Sequence, residues 1–141
     1  MTSKLVLDNI AGRTTAGSIA VVGEGNGTTT NLQNGLAKAT CTFSGAASGA
    51  TVRASFNQSS TDDDAVGQYG VNFTSPMSST EFTTVGSNIG DSSSSTRTGG
   101  LIAALSINTA SSINFASVET EGSIAYADWT YINTVVHGDL A

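Results

Sequence analysis

The sequence is short of several residue types, and each shortage narrows what the chain can be. Its 141 residues include one cysteine, one proline and one histidine. A single cysteine, Cys41, excludes an intrachain disulfide. Because Cys41 alternates with Ala39 and Phe43, we expect a small buried hydrophobe at this position rather than a reactive thiol.

Charged residues are also scarce, at 11% of the chain, and the net charge is −6. The few basic residues are scattered and cannot form the basic stripe that binds a nucleic-acid backbone. No apolar run approaches the ~20 residues of a membrane span. The first residues, MTSKLVLDNIAG, also lack the apolar run of a signal peptide. We therefore expect no nucleic-acid partner, no membrane insertion and synthesis in the cytoplasm.

Large apolar side chains are few as well. Leu, Ile, Val and Phe together account for 30 of the 141 residues. This share of about 21% lies near the level of ~20% that is typical of disordered chains, but the low net charge favours a folded one. A chain with so little core material gains by burying surface against copies of itself. These observations favour a homo-oligomer.

Four small or polar residue types fill much of the remaining sequence: Ser, Thr, Gly and Asn make up 66 residues. Thr favours strands, while Gly, Asn and Ser favour turns. Strong helix formers such as Glu, Lys, Arg and Gln are rare. The composition therefore predicts an all-β protein.

The first 35 residues predict an N-terminal extended arm rather than part of a core. They are mostly Gly, Thr, Ser and Asn, with a predicted short strand over residues 4–10 and a second apolar stretch over residues 19–22. Such a segment cannot offset its own ordering entropy, but it can add a strand to a neighbour's exposed sheet edge. The residues expected to make that contact are Leu5, Leu7, Ile10, Ile19 and Val21.

Residues 36–141 alternate with period two and predict an antiparallel β-sandwich or jelly-roll-like module. The predicted strands lie near residues 39–43, 52–56, 69–73, 82–85, 101–107, 113–118 and 127–137. Residues 57–67 and 86–100 are predicted to be polar loops. Asp62, Asp63 and Asp64 lie in the first loop and Ser93 and Ser94 in the second, and we expect these loops to face a receptor.

Alternation also assigns side chains to faces. Val52, Ala54 and Phe56 are predicted to share one face, as are Trp129 and Tyr131. We expect the face formed by Tyr69, Val71 and Phe73 to lie in the core of a homotrimer.

The run Asp62–Asp64 could ligate calcium, since hard cations take carboxylate oxygens. It lacks the spaced acidic pattern of a helix–loop–helix calcium site, so solvated acids at a hairpin tip are the preferred interpretation. No cofactor and no metal are expected.

Three further patterns are candidate catalytic or phosphate sites. His137 lies two residues from Asp139, but no nucleophile-elbow sequence accompanies them. Glu119 and Glu121 could form a glycosidase pair, but solvated strand-end acids are the better interpretation. Residues 23–27, GEGNG, lack the Lys-Ser/Thr of a phosphate loop. The sequence therefore predicts a protein that is not an enzyme.

Several segments together resemble a module of tailed-bacteriophage virion proteins, common at the distal end of tail fibres in marine and cyanobacterial phages. Residues 28–39 read TTTNLQNGLAKA and run into the strand ending at Phe43. Residues 55–60 read SFNQSS and residues 67–74 read GQYGVNFT. TTAGSI at residues 14–19 and HGDLA at residues 137–141 are also similar to this group. The family's usual strand reads Ala-Trp-Val-Asn-Phe, whereas Thr40, Cys41 and Thr42 stand between Ala39 and Phe43 here.

The resemblance implies a homotrimeric, β-rich virion appendage made in the host cytoplasm, with no catalytic residue to carry over. Its implied partners are copies of itself, other phage structural proteins, and a host surface glycan or protein as receptor. The leading hypothesis is a tail fibre or spike subunit involved in host attachment. The alternative is a purely structural capsid decoration protein, head fibre or collar component, and a surface-glycan hydrolase ranks third.

Overall fold

The computed structural model describes residues 5–11, 19–22, 27, 29–46, 49–89, 99–104, 108–119 and 124–140. The described chain is β-structure apart from one four-residue helical turn, and its main strands form two antiparallel sheets. The all-β fold class predicted from composition is therefore confirmed. The chain divides into two compact units, Met1–Leu36 and Ala37–Ala141.

The N-terminal unit contains a small hairpin and a short helix. β1 (Ala20–Val22) pairs antiparallel with β2 (Thr29–Asn31), and α1 (Leu32–Gly35) follows directly. The Leu32 amide donates a 2.9 Å hydrogen bond to the Ile19 carbonyl and closes the hairpin base. The predicted strand over residues 4–10 was wrong for its described part, because residues 5–11 pair with no strand among the described residues. Hydrogen bonds from a neighbouring strand define a strand, and alternating Leu5 and Leu7 cannot supply them.

The larger unit is a β-sandwich. Its strands are β3 (Ala39–Ser44), β4 (Thr51–Phe56), β5 (Gln58–Ala65), β6 (Gln68–Phe73), β7 (Thr83–Ile89), β8 (Gly99–Ala104), β9 (Ser112–Glu119), β10 (Ala125–Tyr126) and β11 (Tyr131–His137). One sheet has the order β4-β3-β11-β7. The other sheet has the order β5-β6-β9-β8. The short strand β10 pairs with the end of β9, on the same side of β9 as β6.

The inner faces of the two sheets share one core. Buried residues come from alternate positions of the central strands, as the period-two pattern predicts. They are Ala39, Cys41, Phe43, Ile132 and Val136 from the four-stranded sheet and Tyr69, Val71, Phe73, Ile113 and Phe115 from the other, with Ala50, Met77, Ala127 and Trp129 from the connections. Phe43 and Tyr69 meet edge to face across the layers, with ring centroids 5.2 Å apart. Because Tyr69, Val71 and Phe73 fill the core of a single chain, the prediction that they form a trimer core was wrong.

Both predicted polar loops contain strand. Residues 57–67 hold β5, so Asp62, Asp63 and Asp64 lie within a strand and not at a hairpin tip. The turn that follows is at residues 66–67. Residues 86–89 belong to β7 and residues 99–100 to β8, while residues 90–98, with Ser93 and Ser94, lie outside the described residues. Polar strands of this kind show no apolar alternation in the sequence, because hydrogen bonds between side chains, and not apolar burial, stabilise their faces.

Two predicted face assignments also need correction. A β-bulge shifts the register between β3 and β4 at Thr42 and Phe43. The extra residue places Val52 opposite buried Phe43, whereas Phe56 lies opposite Thr40 on the outer face. Trp129 precedes β11 and is 1% exposed, whereas Tyr131 is 40% exposed, so these two do not share a face.

Candidate interaction surface

The outer face of the four-stranded sheet combines apolar and polar side chains in four aligned rows. The inner positions of its two central strands are buried, so the alternate positions point outward. Strand pairing aligns Phe56, Thr40, Val135 and Val85 in the first row, Ala54, Thr42, Asn133 and Ser87 in the second, and Tyr131 and Ile89 in the third. A fourth row, His137 and Thr83, lies on the other side of the first. These rows are called the outer face below.

Four large apolar side chains on the outer face are exposed. Ile89 is 60% exposed, Val85 59%, Phe56 57% and Tyr131 40%. They occupy the two rows that flank the central polar row. Single exposed apolar side chains are ordinary, but several on one sheet face are typical of an interaction surface.

The polar side chains of the central row bond to one another. Thr42 Oγ1 donates a 3.0 Å hydrogen bond to Asn133 Oδ1. Asn133 Nδ2 in turn donates to Ser87 Oγ at 3.3 Å. Since both ends of the amide have a protein partner, covering this row removes it from water at a small penalty.

The outer face is also poor in charge. Arg53 is the only permanently charged residue of β3, β4, β7 and β11. Its guanidinium carbon lies 4.3 Å from the centre of the Tyr131 ring, a cation–π contact that fixes the side chain on the sheet. The acidic residues that give the chain its net charge of −6 lie outside these four strands.

The predicted receptor-facing acids lie on β5 in the other sheet and point to opposite sides. Asp62 lies opposite Gly70 and accepts a 2.8 Å hydrogen bond from Asn72 Nδ2. Asp63 lies opposite Tyr69 and accepts a 2.9 Å bond from the Gly49 amide. Successive strand residues face away from each other, so these carboxylates do not converge on one point. Among the described residues, no group of three His, Cys, Asp or Glu side chains could hold a metal ion.

The phenol of Tyr69 is buried on β6, the strand that pairs with the acidic strand β5. Tyr69, which is fully buried, donates a 2.7 Å hydrogen bond to Asp128 Oδ1, and the Gly67 amide donates to the same oxygen at 2.6 Å. Burial, then the bond to Asp128 and the charges of Asp128 and Asp63, raise the pKa of Tyr69 far above its usual range. Nothing in the sequence pattern links these residues, which are 59 positions apart.

Cys41 behaves as the sequence predicts. It is 1% exposed on the inner face of β3, and burial raises the pKa of its thiol to about 11. Both features keep the thiol in its unreactive protonated form.

The remaining candidate residues are dispersed. His137 ends β11, opposite Thr83, and Asp139 lies beyond the strand, where its carbonyl accepts a hydrogen bond from the Ser78 amide. Glu119 ends β9, and Glu121 lies outside the described residues. Of the predicted arm contacts, Leu5, Leu7, Ile10 and Val21 are between 51% and 80% exposed, while Ile19 is half-buried. An open depression of about 280 Å³ is lined by Val118, Ile124, Ala125 and Tyr126.

Among the described residues, no helix is both long and apolar enough to cross a membrane. No protein-family model matches the chain, and no curated protein and no solved structure matches it either. The resemblance to phage tail-fibre modules therefore rests on the sequence motifs alone and stays a prediction.

Proposed function

We propose that the chain is a structural subunit of a bacteriophage virion, a homotrimeric tail-fibre or spike subunit involved in attachment to the host surface. The TTTNLQNGLAKA and GQYGVNFT segments and their neighbours support this assignment through their resemblance to distal tail-fibre modules. The fold is compatible with it, because a β-sandwich is a rigid platform on which loops and surfaces engage partners.

The observation that carries the proposal is the exposure of apolar side chains in the N-terminal unit. Leu5 is 80% exposed, Val6 72%, Ile10 56% and Val22 53%. A short unit with such side chains in water gains stability when a partner covers them. When a subunit assembles into a larger particle, its neighbours in the particle cover these side chains.

The larger unit, by contrast, closes its own core. Every residue of the core cluster lies between Ala39 and Val136. This division of labour suits an appendage in which residues 1–35 attach to the particle and the sandwich is displayed at the host surface.

The test is to locate the chain on the phage that encodes it. Peptide mass spectrometry of purified virions should detect the chain, and a density map should place it at the distal end of the tail in threefold copies. Threefold density on the head or collar would instead favour the purely structural role. Absence from purified virions would refute both assignments.

A further inference from the structure

On the basis of the self-assembling subunit proposed above, we infer that the outer face of the four-stranded sheet is where copies of this chain contact one another. The face carries Phe56, Val85, Ile89 and Tyr131, each at least 40% exposed. The occupant is a second copy of the same face, turned toward the axis of the assembly. Neither the sequence motifs nor the predicted Tyr69 face indicated this surface.

Charge is the first reason why the occupant is a second copy. When identical faces meet around an axis, each brings the same charges to the contact, so a face with several charges of one sign repels its copies. The outer face has one permanent charge, and Tyr131 holds it at 4.3 Å. The opposite sheet is less suited, because its edge strand β5 carries Asp62, Asp63 and Asp64 in succession.

The second reason is that the three polar side chains of the central row already bond to one another. These bonds run from Thr42 through Asn133 to Ser87. Two copies can therefore bury this row at a lower penalty than a row of polar side chains with no bonds among them.

The third reason is size. Four strands spaced about 4.8 Å apart, and seven residues of β11 rising about 3.3 Å each, cover roughly 440 Å² of flat sheet. This area includes the polar central row as well as the two apolar rows that flank it. A standard interface buries about 800 Å² per partner, which protruding side chains and the strand edges at the rim can complete.

The experiment compares two substitutions in the full-length chain. Val85 on the outer face and Val66 in the β5–β6 turn are each 59% exposed, so Val85→Glu and Val66→Glu add the same charge with equal burial. Light scattering or sedimentation at micromolar concentration gives the mass, which is 14.2 kDa for one chain and about 43 kDa for three. Circular dichroism and thermal melting check that each variant is folded.

We expect the unmodified chain and Val66→Glu to be trimers and Val85→Glu to be a folded monomer. If Val85→Glu unfolds, Phe56→Ser, which removes an exposed ring without adding charge, replaces it and should also weaken the trimer. An unmodified trimer that both outer-face variants leave intact would overturn the assignment of the face but leave the proposed self-assembly standing. A monomeric unmodified chain would overturn the self-contact and the proposed homotrimer together. If the unmodified chain is a monomer and virions fail to incorporate folded Val85→Glu, another virion protein is the occupant of the outer face.

Discussion

Tyr69 Oη lies 2.7 Å from Asp128 Oδ1 and donates a hydrogen bond to it across 59 positions of the sequence. The ring belongs to the core, and Asp128 belongs to the connection between β10 and β11. This bond ties the connection to the sandwich just before Trp129 enters the core.

We expect Tyr69→Phe to lower the free energy of unfolding by roughly 1.5 kcal/mol. This value is the lower end of the usual range for a hydrogen bond to a charged group, because the exposed Asp128 side chain remains hydrated. Tyr126→Phe is the matched control, since Tyr126 is 50% exposed, and it should change stability by less than about 0.5 kcal/mol. Chemical denaturation at neutral pH measures both. Equal effects of the two substitutions would contradict the role of this bond.

The same bond predicts sensitivity to alkali. Folding raises the pKa of Tyr69 above that of the unfolded chain, so the neutral phenol is favoured in the folded state. Its contribution is complete below the unfolded pKa of about 10 and is lost as the pH rises above that value. The unmodified chain should therefore lose more stability than Tyr69→Phe between pH 9 and 11.

Gly67 adopts a backbone conformation that only glycine fits at this place. Its φ is +65°, and an added Cβ would lie 2.5 Å from the Ser117 carbonyl oxygen and 2.6 Å from the Ala127 amide nitrogen. Gly49 has a similar φ of +85° but open space around it. Gly49→Ala should therefore cost only the backbone term of about 1–2 kcal/mol, and Gly67→Ala should exceed it by about 2 kcal/mol because backbone atoms must move. Thermal or urea unfolding of the two variants separates the two terms, and similar losses would refute the steric argument.

Cys41 should resist thiol reagents in the folded protein. With a pKa of about 11 and 1% exposure, its thiolate fraction at pH 8 is on the order of one in a thousand and is shielded from solvent. Labelling with a disulfide reagent at pH 8 should be slow for the native chain and fast in denaturant. Rapid labelling under native conditions would show that β3 opens locally.

Strands whose apolar residues alternate were predictable. Ala39, Cys41 and Phe43 mark β3, and each is buried as the period-two pattern requires. β5 was missed because its sequence, QSSTDDDA, has almost no apolar residue, and its pairing depends on partners distant in the chain. Such partners include Asn72, which bonds to both Ser60 and Asp62.

The outer face escaped prediction for a different reason. Its first row joins Phe56, Val135 and Val85, which belong to three strands far apart in sequence. The β3–β4 bulge also moves Val52 off the face that Phe56 occupies. A local pattern cannot reveal a register shift or a neighbour across a sheet, because both are set by tertiary pairing.

The acidic run of β5 predicts tolerance to neutralisation. Asp62 and Asp63 each accept a hydrogen bond, which the side-chain oxygen of asparagine can also accept. Changing Asp62, Asp63 and Asp64 together to Asn should keep the fold and move stability by about 0.5 kcal/mol for each residue at most. Since adjacent carboxylates face opposite sides, a chelator should leave the melting temperature of the unmodified chain unchanged. A clear drop in that temperature would reveal a structural cation.

Removal of the N-terminal arm tests the division of labour between the two units. A chain beginning at Gly35 retains the whole core cluster, which lies between Ala39 and Val136. We expect it to remain a β-rich trimer by circular dichroism and light scattering, with a melting temperature close to that of the full chain. It should nevertheless fail to join virions, because the exposed Leu5, Leu7 and Ile10 that we expect to contact the particle are gone.

Full-length Leu5→Ser/Leu7→Ser is the matched variant and should reduce incorporation without changing the trimer. Unfolding of the truncated chain would make the arm part of the core, and normal incorporation would place the attachment site in the sandwich.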